Sequence, residues 1–213
     1  MHIEFLVEEP SAEAALQNLV PKIVGSDVSF NVHVYQCKHD LLGKLPQRLR
    51  GYSHWLPSDW RIVMLMDNDD DNCRGLKRKL DLMAKDAGLS VKTSSRKERF
   101  QVVNRLAIEE LEAWFFGDVE ALATAYPRVP STLASKSKYR DPDAIKGGTW
   151  EHLQRVLRQA GYYPAGLPKI ETARRTSGYM SPVRNTSRSF QVFRDVLLQI
   201  AGGTHCPHAN RSC

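Results

Sequence analysis

An α/β fold, with a mostly parallel sheet flanked by helices and a C-terminal helical lobe, is predicted by three features of the 213-residue sequence. Short apolar runs of strand length alternate with longer segments whose apolar residues recur every three or four positions, the pattern of parallel strands joined by crossover helices. The run Arg61-Ile62-Val63-Met64-Leu65-Met66 is almost uninterruptedly apolar, as suits a strand covered on both faces. After Asp118 the strand signal ceases and only helical periodicity remains. These shifts divide the chain into an α/β domain over 1–118, a basic helical lobe over 119–201 packed on it, and a flexible tail over 202–213.

Residues 2–8 form the first strand, with Ile3, Phe5 and Val7 on one face and Leu6 on the other, ending at Glu8-Glu9-Pro10. Ser11 caps a helix over 12–24 whose stripe is Ala15, Leu16, Leu19, Val20 and Ile23. Over 27–36, Val28, Phe30, Val32 and Val34 alternate with polar neighbours, which predicts a half-exposed strand. Residues 38–59 read as a short irregular helix and a loop. The apolar strand follows and ends in Asp67-Asn68-Asp69-Asp70-Asp71-Asn72. A helix is predicted over 72–87, with Leu76, Leu80, Leu82 and Met83 inward, Lys77, Arg78 and Lys79 outward, and Gly88 ending it. Residues 89–93 and 100–106 are further strands, and 108–116 begins a helix whose core face is Leu111, Trp114 and Phe115. In the lobe, 118–126 is a small helix and 127–148 a connection rich in Pro, Ser, Lys and Asp. Residues 149–163, 167–178 and 187–201 are helical, and Ser187 caps the last of them.

Apolar residues make up 42% and charged residues 25% of the chain, which disfavours disorder. No apolar run of about 18 residues is present, so no membrane span is predicted. The N-terminus reads as a strand and not as a basic leader with a cleavage site, which points to the cytoplasm. Cys37, Cys73, Cys206 and Cys213 are scattered, so reduced thiols are expected, and the tail set His205, Cys206, His208 and Cys213 lacks zinc-finger spacing. The net charge of +6 hides an asymmetry: residues 1–120 carry 16 Lys/Arg against 19 Asp/Glu, and residues 121–213 carry 14 against 5. An acidic half beside a basic half suits a polyanion held near metal ions; a solvated basic surface is the alternative.

The crowded carboxylates after Met66 need water or a cation to offset their repulsion. A calcium loop counted from Asp67 would want Gly and Glu where Asn72 and Arg78 stand, and that reading fails. A phosphatase signature of the type strand-Asp-x-Asp-x-Thr/Val is weakened by Asp71 at its last position. The remaining reading is a site for Mg²⁺ or Mn²⁺, hard ions that take carboxylate oxygens and keep waters for a phosphate. Asp67 and Asp69 leave an extended strand on one side. Two more acidic groups, Glu8 with Glu9 and Glu109, Glu110 with Glu112, stand at other strand-to-helix junctions and are expected to converge on the same sheet edge.

Strand-Val7-Glu8-Glu9-Pro10-Ser11, then strand-Asp67-x-Asp69, then an acid at the next junction, resembles the TOPRIM domain of topoisomerases, primases and OLD-family nucleases. With Cys73-x-x-Leu76-Lys77, Glu112-Ala113-Trp114, Thr172-Ala173-Arg174-Arg175, Met180 and Asn185-x-Ser187-x-Ser189-Phe190, residues 2–200 are similar to a TOPRIM-related bacterial family, domain of unknown function four-two-seven-six. The resemblance implies a TOPRIM-like, Rossmann-like sheet and Mg²⁺- or Mn²⁺-dependent cleavage of DNA or RNA. It implies Glu8 or Glu9 as the TOPRIM glutamate, acting as ligand or general base. Asp67, Asp69, Asp71 and Glu112 would be further metal ligands, with Glu110 beside Glu112, and Lys169 the lysine that stabilises the transition state. TOPRIM domains usually carry Gly after the glutamate, where this chain has Glu9, so the choice between Glu8 and Glu9 stays open. Lys136, Lys138, Arg140, Lys146, Arg174, Arg175, Arg184 and Arg188 are candidates to track a nucleic-acid backbone; Arg174 and Arg175 could instead pair with the acids and hold the lobe closed. The resemblance also implies a place in bacterial defence against phage. Alternatives are a non-catalytic subunit that binds an ATPase encoded nearby, and a phosphatase or phosphotransferase using the same acids.

Overall fold

Four strands, β1 (His2–Val7), β2 (Ser29–Val34), β3 (Trp60–Asp67) and β4 (Val102–Ala107), form one parallel sheet in the order β2-β1-β3-β4. The computed structural model describes residues 1–68, 72–92 and 99–202, so Asp69 and Asp71 of the strand end and the His205, Cys206, His208 and Cys213 set lie outside the described residues. The arrangement is the Rossmann-like α/β fold expected. From β1 the chain crosses to β2 on one side, then returns to place β3 on the other. Between β1 and β3 the crossovers diverge, the switch point outside whose C-terminal strand ends open α/β sheets place ligands.

Among the described residues the α-helices are α1 (Pro10–Val24), α2 (Lys38–Trp55), α3 (Cys73–Asp86), α4 (Glu112–Phe116), α5 (Val119–Ala125), α6 (Thr149–Gln159), α7 (Lys169–Tyr179) and α8 (Arg188–Ile200). Strand side chains alternate between faces. Ile3, Phe5, Val7, Val63 and Leu65 therefore enter one buried cluster, with α1 and the helices of the lobe. Leu6, Ile62, Met64 and Met66 enter the other, with α2 and α3. The lobe thus packs on one sheet face, and both faces of β3 are covered, as its apolar run requires. Among the described residues no helix is long and apolar enough to cross a membrane.

Five local expectations are corrected. Ser11 does not cap α1: the helix begins at Pro10, whose fixed φ suits a first helical position, and Glu9 is its N-cap. The stretch after Lys38 is an 18-residue helix with Pro46 inside it, not a short irregular one. An internal proline costs about 3 kcal/mol of helix stability, and burial of Leu41, Leu45, Leu49 and Tyr52 against the sheet offsets it. The strand expected over 89–93 shrinks to a single bridge, Val91 to Val102. Helix α4 begins only at Glu112, because Glu109 sits at a φ of 61°, a left-handed conformation incompatible with a helical turn. Leu82 is 52% exposed, since the inward stripe of α3 is Cys73, Leu76, Leu80 and Ala84 and Leu82 lies off it. Cys37 carries a free thiol, as expected.

Candidate acidic active site at the C-terminal sheet edge

Glu8 and Asp67 are brought side by side by strand register: Val7 pairs with Leu65, so the residues that follow emerge together at the edge between β1 and β3. Glu8 Oε1 accepts a hydrogen bond from the Asp67 backbone N–H at 2.9 Å, and both residues are buried. The adjacent acids of the first strand end diverge. Glu8 turns to β3, while Glu9, extended at the N-cap of α1, accepts from the Ser11 hydroxyl and meets Lys169 Nζ at 3.6 Å.

Glu112 is the first residue of α4, where negative charge is favoured by the helix dipole. It is 2% exposed, and its Oε2 has no hydrogen-bond partner. Burial pushes its carboxyl up to about 7; Lys169 pulls the other way, and Glu9 and Glu110 add to the rise. Its sequence neighbour Glu110 does different work, accepting from Thr149 Oγ1 at 3.0 Å and from the Trp150 N–H at 2.7 Å to close the N-terminus of α6.

Lys169 opens α7, with its ammonium 4.9 Å from the centre of the Trp150 ring. Burial alone would lower its pKa, but the field of Glu112, Glu9, Glu110 and Asp67 outweighs that and holds it charged. Its position is set remotely by α1. Lys22 donates to the carbonyls of Ser177, Gly178 and Met180 at the C-terminal end of α7, and Asn18 donates to the Arg174 carbonyl and to Ser177 Oγ. The ion pair between lobe and sheet edge is therefore made by Lys169.

The motif residues of the lobe dock α8 on α4. Asn185 Nδ2 donates to the Trp114 carbonyl at 2.7 Å, and Trp114 Nε1 donates to Ser189 Oγ at 3.0 Å. Ser187 caps α8 as expected, accepting from the Phe190 N–H. Trp114 and Phe115 are core, with the Trp114 ring 5.2 Å from Phe190 and 4.9 Å from Phe193. Asp143, in the long connection, ties the cap down by accepting from Ser187 Oγ, Ser189 Oγ and the Ser189 N–H. Neither Asp143 nor Trp150 carried a sequence signal, because each acts on a partner far along the chain. Asp118, one residue before an apolar run, did carry an N-cap signal; it accepts from the Ala121 and Ser181 N–H groups and from Arg184.

The basic candidates are dispersed. Lys136, Lys138, Arg140 and Lys146 are exposed along the connection between α5 and α6. Arg184 pairs with Asp118 and Glu120, Arg175 lies over the Tyr126 ring, Arg174 is exposed and Arg188 half-buried. Among the described residues, no group of three or more His, Cys, Asp or Glu side chains is placed to hold a metal ion. A family model described as a domain of unknown function (DUF4276) matches residues 7–198. No curated protein and no solved structure matches the chain.

Proposed function

We propose that this chain, which belongs to the family described as Domain of unknown function (DUF4276), hydrolyses phosphodiester bonds of DNA or RNA at the acidic edge of its sheet, with Mg²⁺ or Mn²⁺. Glu112 is the observation that carries the reading: a buried carboxylate, one oxygen without a hydrogen-bond partner, poised near neutrality beside a charged lysine. Such a group subtracts from stability, and a buried carboxyl so shifted beside a charged lysine is a candidate for chemistry. The resemblance of the strand-end acids to TOPRIM and OLD-family nucleases supports the same assignment.

The donors available, Glu8, Asp67 and Glu112, are carboxylates, which suits a hard cation. Mg²⁺ is commonly held by one or two carboxylates, completed by water and substrate phosphate, so the chemistry fits without a closed cage of three. Glu8 and Asp67 would hold the ion, with Asp69 and Asp71 as further ligands. Bound there, it would supply positive charge to the phosphoryl oxygens and lower the pKa of water. Lys169, anchored by Glu9, adds a second positive charge for those oxygens. Glu112 takes the proton of the attacking water, whose oxygen bonds to phosphorus as the ester P–O bond breaks, and the departing alkoxide oxygen takes a proton from solvent water. Lys136, Lys138, Arg140, Lys146, Arg174, Arg175 and Arg188 would track the backbone, with Arg184 holding their support through Asp118.

Plasmid DNA and single-stranded RNA, incubated with Mg²⁺ or Mn²⁺ and the parent, Asp67→Ala or Glu112→Gln, test the proposal. Cleavage by the parent and loss in both variants is expected. Equal cleavage by all three, or none by the parent with a partner present, would sink it. A subunit that only binds an ATPase predicts instead a stable complex indifferent to Asp67→Ala.

A further inference from the structure

A cavity of about 710 Å³ lies between the edge strand β2 and α2, lined in part by Glu4, His33, Arg48, Gly51 and Trp55 and remote from the sheet-end acids. Its floor is an ionic relay. Glu4, buried on β1, accepts from His2 Nε2 at 2.8 Å, Asn31 Nδ2 at 3.2 Å, the Tyr52 hydroxyl at 2.7 Å and His33. These four donors saturate it. His33 Nδ1 in turn faces Arg48 Nη2 at 2.9 Å. The guanidinium also lies 5.2 Å from the centre of the Tyr52 ring. The relay therefore extends past what burying Glu4 requires and ends at an exposed arginine that lines the cavity.

The wall on α2 is polarised. Lys44, Arg48, Gly51 and Trp55 recur at helical spacing and share one face. The cations stand at one end, where Lys44 also pairs with Asp40 at 2.7 Å and Arg48 carries the charge left over. At the other, Trp55 is 55% exposed and packs edge-on to Trp60 with centroids 5.7 Å apart. Gly51 lies between, and nothing is within 4 Å of where its Cβ would be. Arg48 and Trp55, seven residues apart, are separated by about 10 Å along the helix axis. The volume is that of a small-molecule site, with an aromatic wall and a few convergent polar groups.

We propose that this cavity binds a nucleoside phosphate unit, its base against Trp55 and Trp60 and its phosphate on Arg48 and Lys44. Aromatic rings stack on bases of any sequence, and a guanidinium fixed by a second partner matches a phosphate bidentately. The unit is either a free nucleotide or one nucleotide of a strand. The site is independent of the acidic edge.

Tryptophan fluorescence of the full chain, titrated with the four nucleoside 5′-monophosphates, the matching nucleosides and a short oligonucleotide, tests it. Saturable change with monophosphates is expected, weaker by about tenfold for the nucleosides and for Arg48→Ala. Gly51→Leu should abolish it, because the leucine fills the cavity while the helix keeps its fold, checked by circular dichroism. Response to the oligonucleotide alone, lost in Gly51→Leu, supports the same site with a strand as its source. The proposal is overturned by no saturable response, by nucleosides binding as tightly as monophosphates, or by binding that survives Gly51→Leu. Loss in Asp67→Ala with retention in Gly51→Leu would also overturn it, moving the signal to the acidic edge.

Discussion

Burial pushes the Glu112 carboxyl up to about 7 from an ordinary 4.5, and the folded chain therefore holds a proton that the unfolded chain releases. Below pH 4.5 the group is neutral in both states. Between pH 4.5 and 7 the unfolded chain ionises it first and about 3 kcal/mol of stability is lost, the loss being complete above pH 7. Glu112→Gln is accordingly expected to raise the melting temperature by several degrees at pH 8 and to leave it unchanged at pH 4, as calorimetry would show. Glu4 has the opposite sign. Burial raises its pKa, but hydrogen bonds from Tyr52, His33, His2 and Asn31 outweigh this and hold it at about 2. Its contribution is present above pH 4.5 and lost as pH falls through 2, so Glu4→Gln should destabilise at pH 7 and converge with the parent near pH 2 in acid unfolding. That acids of some kind gather at strand ends was legible from Glu8 and Asp67. That Glu9 serves Lys169 and Glu110 serves α6 was not, because residues adjacent in sequence can turn to different elements.

Helix α4 spans five residues, too few to be stable alone. It is held because α8 docks on it, and Gly117 is the point of closest approach: a Cβ there would lie 2.2 Å from Asn185 Oδ1 and 2.8 Å from the Ser187 N–H nitrogen. Gly117→Ala is expected to cost about 1–3 kcal/mol, read from urea unfolding, and to lower activity by displacing Glu112. The strands and most helices were readable from periodicity. Helix α2 was not, since Pro46 argues locally against it and only burial of its leucines decides the matter. The Asn185, Ser187 and Ser189 motif was visible as a cap and no more; its contacts with Trp114 and Asp143 needed the fold.

At the scale of the molecule, the order β2-β1-β3-β4 puts Glu8 and Asp67 next to each other, and the α1–α7 pairing lowers Lys169 onto Glu9. A cation that binds the folded edge and not the unfolded chain stabilises by mass action. Adding Mg²⁺ or Mn²⁺ at about 100 times its Kd should therefore raise stability by about 2.7 kcal/mol in the parent and not in Asp67→Ala, by thermal denaturation. Alternation of strand and helix, the doubly covered β3 and the acids at strand ends are properties of short segments, and the sequence by itself determined them through hydrophobic period and residue type. Which acid faces which neighbour, where Lys169 sits, and the cavity beside β2 depend on contacts spanning as many as 160 residues. Those only the tertiary structure decided, because pairing across such distances follows from packing and register and leaves no local trace.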